Sequence, residues 1–246
     1  MAGEMNVLGN LSFMTNMITK FKDSFYLNFI KDDRWKYITD GLQTTLVLTF
    51  FAVLIGIVIG FFVALVRSTY DKTGKLKILN FICRVYLTVI RGTPVVLQLM
   101  IIYYVIFASA DISKVVVGII AFGINSGAYV SEIVRSGIMS IGDGQMEAGR
   151  SLGFNHFQTM RYIIMPQAFK NVLPALGNEF IVLLKETSVA GYIALQDITK
   201  AGDIIRSRTY SAFMPLIAVA LIYLILVMIF QYFVGKLERR LKKNER

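Results

Sequence analysis

The sequence has one cysteine, Cys83, and one histidine, His156, in 246 residues. A lone cysteine excludes an internal disulfide and leaves no basis for a thiolate metal site. His156 falls in a polar stretch and reads as a surface side chain. No metal-ligand cluster and no nucleophile–base pair stands out, so an integral membrane enzyme is the least favoured class. A phosphate loop of the form G-x-x-x-x-G-K-[ST] is also missing. The nearest fragment, Thr73-Gly74-Lys75-Leu76, lacks both the first glycine and the hydroxyl, so this chain does not hydrolyse ATP itself. Charge is scarce as well: only 17% of residues are charged, and Gly41–Val66 (26 residues) and Thr209–Gly235 (27 residues) contain no Asp, Glu, Lys or Arg.

Hydrophobic residues make up 55% of the chain and the mean hydropathy is +0.60. A soluble domain has about 45–50% apolar residues, and about 20 in a row cross a bilayer. The two charge-free runs therefore place the protein in a membrane. The formal net charge is +10, but the cations cluster at the ends of apolar runs, as topology signals do. Nucleic acid is not an expected partner; membrane lipid is. The first residues lack a basic stretch leading into an apolar one, and no cleavable signal peptide is expected.

Residues 1–35 read as a leader. Leu11, Met14, Ile18, Phe21 and Phe25 recur at helical spacing, with Lys20, Lys22 and Asp23 off that stripe. The pattern predicts an amphipathic helix lying in the membrane interface; the alternative is a mobile leader with chance periodicity. Trp35 and Tyr37 sit where interfacial aromatics anchor a span. Residues 36–246 read as an all-α membrane domain of five crossings. These run from about Lys36 to Val66, Leu79 to Phe107, Lys114 to Ser136, Phe169 to Val189 and Tyr210 to Lys236. The fourth is interrupted by Glu179, Lys185 and Glu186. Gly56 and Gly60 form a small-residue face suited to helix packing.

Charge bookkeeping requires that fourth crossing. Arg67, Lys72, Lys75, Lys77 and Arg84 mark a cytoplasmic segment, and Lys236, Arg239, Arg240, Lys242, Lys243 and Arg246 mark a cytoplasmic tail. An odd number of crossings then puts the N-terminus outside and the C-terminus inside. The leader's Lys20, Lys22, Lys31, Arg34 and Lys36 fit this poorly, but two cytoplasmic clusters outweigh them.

Residues 136–168 form the cytoplasmic stretch with the most local structure. Glu147-Ala148-Gly149-Arg150-Ser151-Leu152-Gly153 is followed, after nine residues, by Ile163-Ile164-Met165-Pro166. Gly144 is expected to precede a short helix with Glu147 in its first turn, where a carboxylate complements the helix dipole. Gly153 suits a left-handed C-terminal position. Phe154, Phe157, Met160 and Ile164 give a second helix an apolar face, and Pro166 is expected to stop or kink it. Two capped helices with apolar faces suit a docking surface for a soluble partner.

This stretch resembles the cytoplasmic signature of importer-type ABC permeases, EAA, three residues, G, nine residues, I-x-L-P. It matches at Glu147, Ala148, Gly153, Ile163 and Pro166, and departs at Gly149 (family Ala) and Met165 (family Leu). Arg91-Gly92-Thr93-Pro94, Asn125-Ser126-Gly127-Ala128-Tyr129 with Glu132, and Gly177-Asn178-Glu179 followed by Lys185-Glu186-Thr187-Ser188 are similar to the polar amino-acid branch. The likeness covers most of the chain after the leader. It implies a type I importer core of five transmembrane helices in the cytoplasmic membrane, translocating polar amino acids by alternating access. It also implies two ABC ATPase subunits gripping the coupling loop, a second permease, identical or homologous, and an extracytoplasmic amino-acid-binding protein. ATP and magnesium belong to the ATPase, and this chain binds no cofactor. A stand-alone gradient-driven carrier or channel is the rival, and would leave the capped cytoplasmic helices unexplained.

An ionisable residue inside a span costs at least about 2.5–3.5 kcal/mol to insert and is a functional candidate by default. Glu179 is the clearest case. It reads as a carboxylate meeting a cationic group of an amino acid, as a structural partner of Arg84 or Arg91, or as a solvated residue in an aqueous path; the first is preferred. Arg91 to Pro94 should kink or unwind the second crossing, freeing backbone groups to line a cavity, or else serve packing with Arg91 snorkelling. Thr93, Gln98, Asn125, Ser126, Tyr129 and Asn178 are the other candidate pathway residues, each able instead to hydrogen-bond between helices. Lys185 and Glu186 read as a local pair.

Overall fold

The computed structural model describes residues 2–243, with side chains described from 13 to 241 except Lys72. The side chains of Glu4, Leu11, Lys72, Lys242 and Lys243, and all of Arg246, lie outside the described residues. The fold begins with helix α1 (Ala2–Phe25). Met14, Ile18, Phe21 and Phe25 are exposed along it. A wide π-helical turn, Tyr26–Ile30, and a short 3-10 turn, Lys31–Asp33, lead into α2 (Trp35–Thr73). Fully buried Asn28 fixes this junction by accepting a 2.8 Å hydrogen bond from Thr209 Oγ1.

Next come α3 (Lys77–Gly92), α4 (Val95–Ile101) with a π-helical extension Ile102–Ile106, and α5 (Lys114–Met139). The expected crossing from Leu79 to Phe107 is not one rod: the chain bends by 111° between α3 and the α4 segment. Thr93 is extended (φ −124°, ψ 148°), as the ring of a following proline demands, and Pro94 cannot donate to the preceding turn. The cytoplasmic stretch contains α6 (Asp143–Ser151) and α7 (His156–Thr159), which runs through a π-helical turn, Met160–Ile164, into α8 (Met165–Glu186).

Pro166 therefore stands in the first turn of α8 and stops nothing. The wide turn before it relieves the clash a proline ring makes with the carbonyl four residues back. After a 3-10 stretch, Thr187–Ile193, come α9 (Ile198–Thr209) and α10 (Phe213–Lys243).

Among the described residues, α2, α5 and α10 are each long and apolar enough to span a bilayer, and the bent α3–α4 pair passes the same test together. The 22 residues of α8 extend about 33 Å, but Lys170, Glu179, Lys185 and Glu186 make it less apolar. It is held by protein: Val172, Leu176, Leu183 and Leu184 are buried. The core forms where α2 and α5 lie against each other and α4 and α8 close over them. Leu48, Leu99, Phe122 and Leu183 share one cluster, and Ala64, Val130, Val134 and Val172 another. A Cβ at Gly60 would lie 2.5 Å from Val130 Cγ1, so glycine permits this close α2–α5 approach.

Helix α9 has no counterpart in the sequence reading. Asp197 caps it, accepting from the backbone N–H groups of Lys200 (2.9 Å) and Thr199 (3.1 Å). Ile198 N donates to Thr45 Oγ1 at 3.2 Å, tying α9 to α2. The Asp197 carboxyl is fully buried, and burial pushes its pKa up from the ordinary value.

Candidate functional site

The cytoplasmic segment carries one group of candidates. Gly142, not Gly144, is the cap of α6, and Asp143 is the acid in its first turn; Glu147 lies one turn further on, exposed. The helix ends in a two-bond closure: Gly153 N donates to Arg150 O (3.0 Å) and Phe154 N to Gly149 O (3.2 Å). Gly153 at φ +84° is the left-handed residue this closure needs. Gly149 is buried against the second helix, where a Cβ would stand 2.5 Å from Thr159 Cγ2 and 2.9 Å from Ile163 Cδ1. Glycine in place of alanine is thus matched to its neighbours. Asn155 and Gln158 form a reciprocal capping box at the start of α7. Glu147, Ala148 and Gly153 remain exposed, beside Leu152 (75% exposed) and Phe157 (70%).

The second group sits around α5. Gln98 Nε2 fills the α3–α4 break, donating to Ile90 O (2.7 Å), Thr93 O (3.0 Å) and Thr93 Oγ1 (2.8 Å). Its Oε1 accepts from Asn125 Nδ2 at 2.9 Å, while Asn125 Oδ1 is buried without a partner. One residue along, Ser126 Oγ donates to Glu179 Oε1 at 2.8 Å. Glu179 is 8% exposed and forms no salt bridge among the described residues. A buried carboxylate that accepts from a hydroxyl and feels the charge of Glu186 favours an arriving cation. Neither Arg84 nor Arg91 supplies one; Arg91 reaches Glu132 instead.

The sequence matches a family described as binding-protein-dependent transport system inner membrane component, over residues 56–243. The chain belongs to that family. Among the permease's relatives, the putative glutamine transport system permease protein GlnP of Rickettsia typhi is 36% identical over 85% of this chain and 94% of its own. The arginine transport system permease protein ArtQ of Bacillus subtilis is 37% identical over 85% and 94%. A solved amino acid ABC transporter with histidines superposes with a TM-score of 0.77 at 44% identity, covering 83% of the permease and 94% of that chain. The MetNI methionine transporter, at 20% identity and a TM-score of 0.73, shares the fold. The permease is thus a multi-pass membrane subunit of an importer with ATP hydrolysis in a separate chain, and not an enzyme.

Thr93, Gln98 and Asn125 come together in the permease as one hydrogen-bonded chain, and Ser126 with Glu179 as a second pair. Asn178 joins neither. It is exposed on another face of α8, beside Asn171, Glu238 and Leu241, because consecutive helical residues point about 100° apart. Tyr129 is 37% exposed, with the Arg91 guanidinium 5.8 Å from its ring centre. Lys185 and Glu186 form no salt bridge among the described residues, though the Lys185 charge acts on the Glu186 carboxyl beside it. Sequence reasoning missed a role for Glu132. Its carboxylate faces Arg67 (3.1 Å), Arg135 (3.6 Å) and Arg91 (3.8 Å). Only the Arg135 contact, three residues along the same helix, could have been read from spacing.

Proposed function

We propose that this permease imports polar amino acids, cationic ones included, by alternating access driven by two copies of an ABC ATPase. The observation that carries the reading is the exposed α6–α7 face, where Leu152 and Phe157 stand free beside Glu147 and Ala148. Large apolar side chains in an aqueous segment call for a partner surface. On this reading Glu147, Ala148 and Gly153 present that face, and Gly149 lets the second helix pack closely behind it. Ile163 and Pro166 join it to α8, which carries Glu179. A second permease, identical or homologous, completes the pathway, an extracytoplasmic binding protein delivers substrate, and nucleotide with its magnesium stays on the ATPase. The N-terminus lies outside, the tail inside, and the exposed apolar stripe of α1 rests in the membrane interface.

The names of the relatives support the substrate class, and the buried Glu179–Ser126 pair supports cationic members of it. Reconstitution in proteoliposomes with the ATPase and binding protein tests both. Uptake of labelled L-arginine or L-glutamine is expected only with ATP on the ATPase side. Uptake that persists without the ATPase, driven by an ion gradient alone, would sink the proposal.

A further inference from the structure

A groove of about 640 Å³ lies between α2 and the helical run that leads from α7 into α8. Phe61, Phe62 and Leu65 of α2 form one apolar wall, and Met160 and Met165 form the other. Val134 and Ile138 of α5, both buried, line it between them. From Phe61 the lining follows α2 through Ser68 and Thr69 to Thr73, about 18 Å of helix.

Polarity changes along that length. Phe61, Phe62 and Leu65 end the charge-free run of residues 41–66, which lies in the hydrocarbon layer. The hydroxyls of Ser68, Thr69 and Thr73 follow beyond it. On the other wall Met165 gives way to Arg161, and then to His156, towards the cytoplasm. Phe62 and Leu65 are both more than half exposed. The Arg161 guanidinium is 5.7 Å from the ring centre of Tyr162 and forms no hydrogen bond or salt bridge among the described residues. No acidic side chain lines the groove. Asp71 and Asp143 line a neighbouring cavity together with Arg135, and His156 borders both.

We propose that this groove binds an anionic phospholipid of the cytoplasmic leaflet, one acyl chain against Phe62 and Leu65 and the phosphate on Arg161. Half of the bilayer core is about 15 Å thick, so an acyl chain matches the groove in length. A cation without an acidic partner, placed where the apolar wall ends, attracts an anionic headgroup. Guanidinium can donate two parallel hydrogen bonds to phosphate oxygens. A soluble partner can reach Phe157, one turn nearer the cytoplasm than Arg161, but not Phe62 within the hydrocarbon layer. Met160 and Arg161 belong to the π-helical turn, so the lipid holds the chain at the joint between α7 and α8.

Photo-crosslinking tests this, with phosphatidylglycerol and phosphatidylcholine that each carry a diazirine in the acyl chain. The full-length permease with its ATPase is placed in nanodiscs containing either probe, and labelled peptides are quantified by mass spectrometry. Phosphatidylglycerol is expected to label residues 61–65 and 160–165 about 5-fold more than phosphatidylcholine does. Residues 216–233 of α10, largely exposed, serve as the internal reference and should show no such preference. Arg161→Gln is expected to bring the groove to the reference ratio, whereas Arg161→Lys keeps the charge and most of the preference. Leu65→Trp, which fills the apolar part, should reduce groove labelling by both lipids. Misfolding would alter α10 labelling too, so it does not imitate these effects. Equal labelling by the two lipids, or a preference that survives Arg161→Gln, overturns the proposal and leaves ordinary annular lipid. Absence of labelling by either probe means that the ATPase or a second permease covers the groove, and overturns it as well. Nanodiscs present both leaflets and no uptake is measured, so the result is independent of the orientation and import proposed above.

Discussion

Ser126 donates its hydroxyl hydrogen to Glu179 at 2.8 Å, joining α5 to α8 deep in the protein. Both residues are buried, and the acid forms no salt bridge among the described residues. A carboxylate in that setting is unstable as an anion unless a cation arrives, so its electrostatic preference is built in. Glu179→Gln keeps an oxygen for Ser126 and removes the charge. Uptake of L-arginine by the reconstituted importer is expected to fall at least about 10-fold, and that of L-glutamine much less. Equal loss for both substrates would mark Glu179 as structural.

Gln98 satisfies backbone oxygens that the α3–α4 break exposes and accepts from Asn125. Gln98→Ala removes the partner of buried Asn125 and of the half-buried Ile90 carbonyl. The expected cost is about 2–4 kcal/mol, visible as a thermal midpoint several degrees lower in detergent. A melt indistinguishable from wild type would mean water replaces the side chain without penalty.

Gly153→Val places a β-branched residue at φ +84° and should unravel the α6 closure. Glu147→Lys reverses charge on the exposed face. Both are expected to insert normally and to hydrolyse ATP with the ATPase while losing most uptake. Uptake at wild-type levels in both variants would remove the coupling role from this segment.

Gly60→Leu drives side-chain atoms into Val130 on α5. Overpacking of this kind costs about 1–3 kcal/mol or more. Reduced yield and a lower melting temperature are expected, whereas Gly144→Ala, at an open position, should leave both unchanged.

Asp197 supplies a pH dependence. Burial raises its folded pKa above the unfolded value, so the folded state holds its proton more tightly. Its contribution to stability is therefore lost as pH climbs from the unfolded value, about 3.9, through the folded one. Asp197→Asn keeps a capping oxygen and does not titrate. The melting temperature of the variant, relative to wild type, is expected to be more favourable at pH 7 than at pH 4. A difference independent of pH would place the proton elsewhere.

Much of this was legible in residues that act locally. The charge-free runs announced α2 and α10, Gly153 announced a left-handed helix end, and Arg91 to Pro94 announced a break. The size of that break was not legible, because 111° depends on what α4 packs against. Pro166 misled because a π-helical turn accommodates a proline, and nothing in its neighbours signals that turn. Helix α9 escaped because it is short and polar, and its order comes from Thr45 and Asp197, far apart in sequence. Asn178 and Glu179 could not both face the core, and hydropathy does not say which does. The arginines around Glu132 come from three helices, so only folding brings them together.

The run from the Asn155 cap through Met160–Ile164 to Glu186 is unbroken helix, made irregular only by its π-helical turn and by Pro174. Phe157 near its lower end and Glu179 higher up are separated by about 33 Å of continuous helix. If the proposed coupling holds, a tilt imposed at Phe157 swings the Glu179 carboxylate and strains its grip on Ser126 in the same stroke. Engine and cargo would then be geared by a single crankshaft, with the π-helical turn and Pro174 as the two places where it can give.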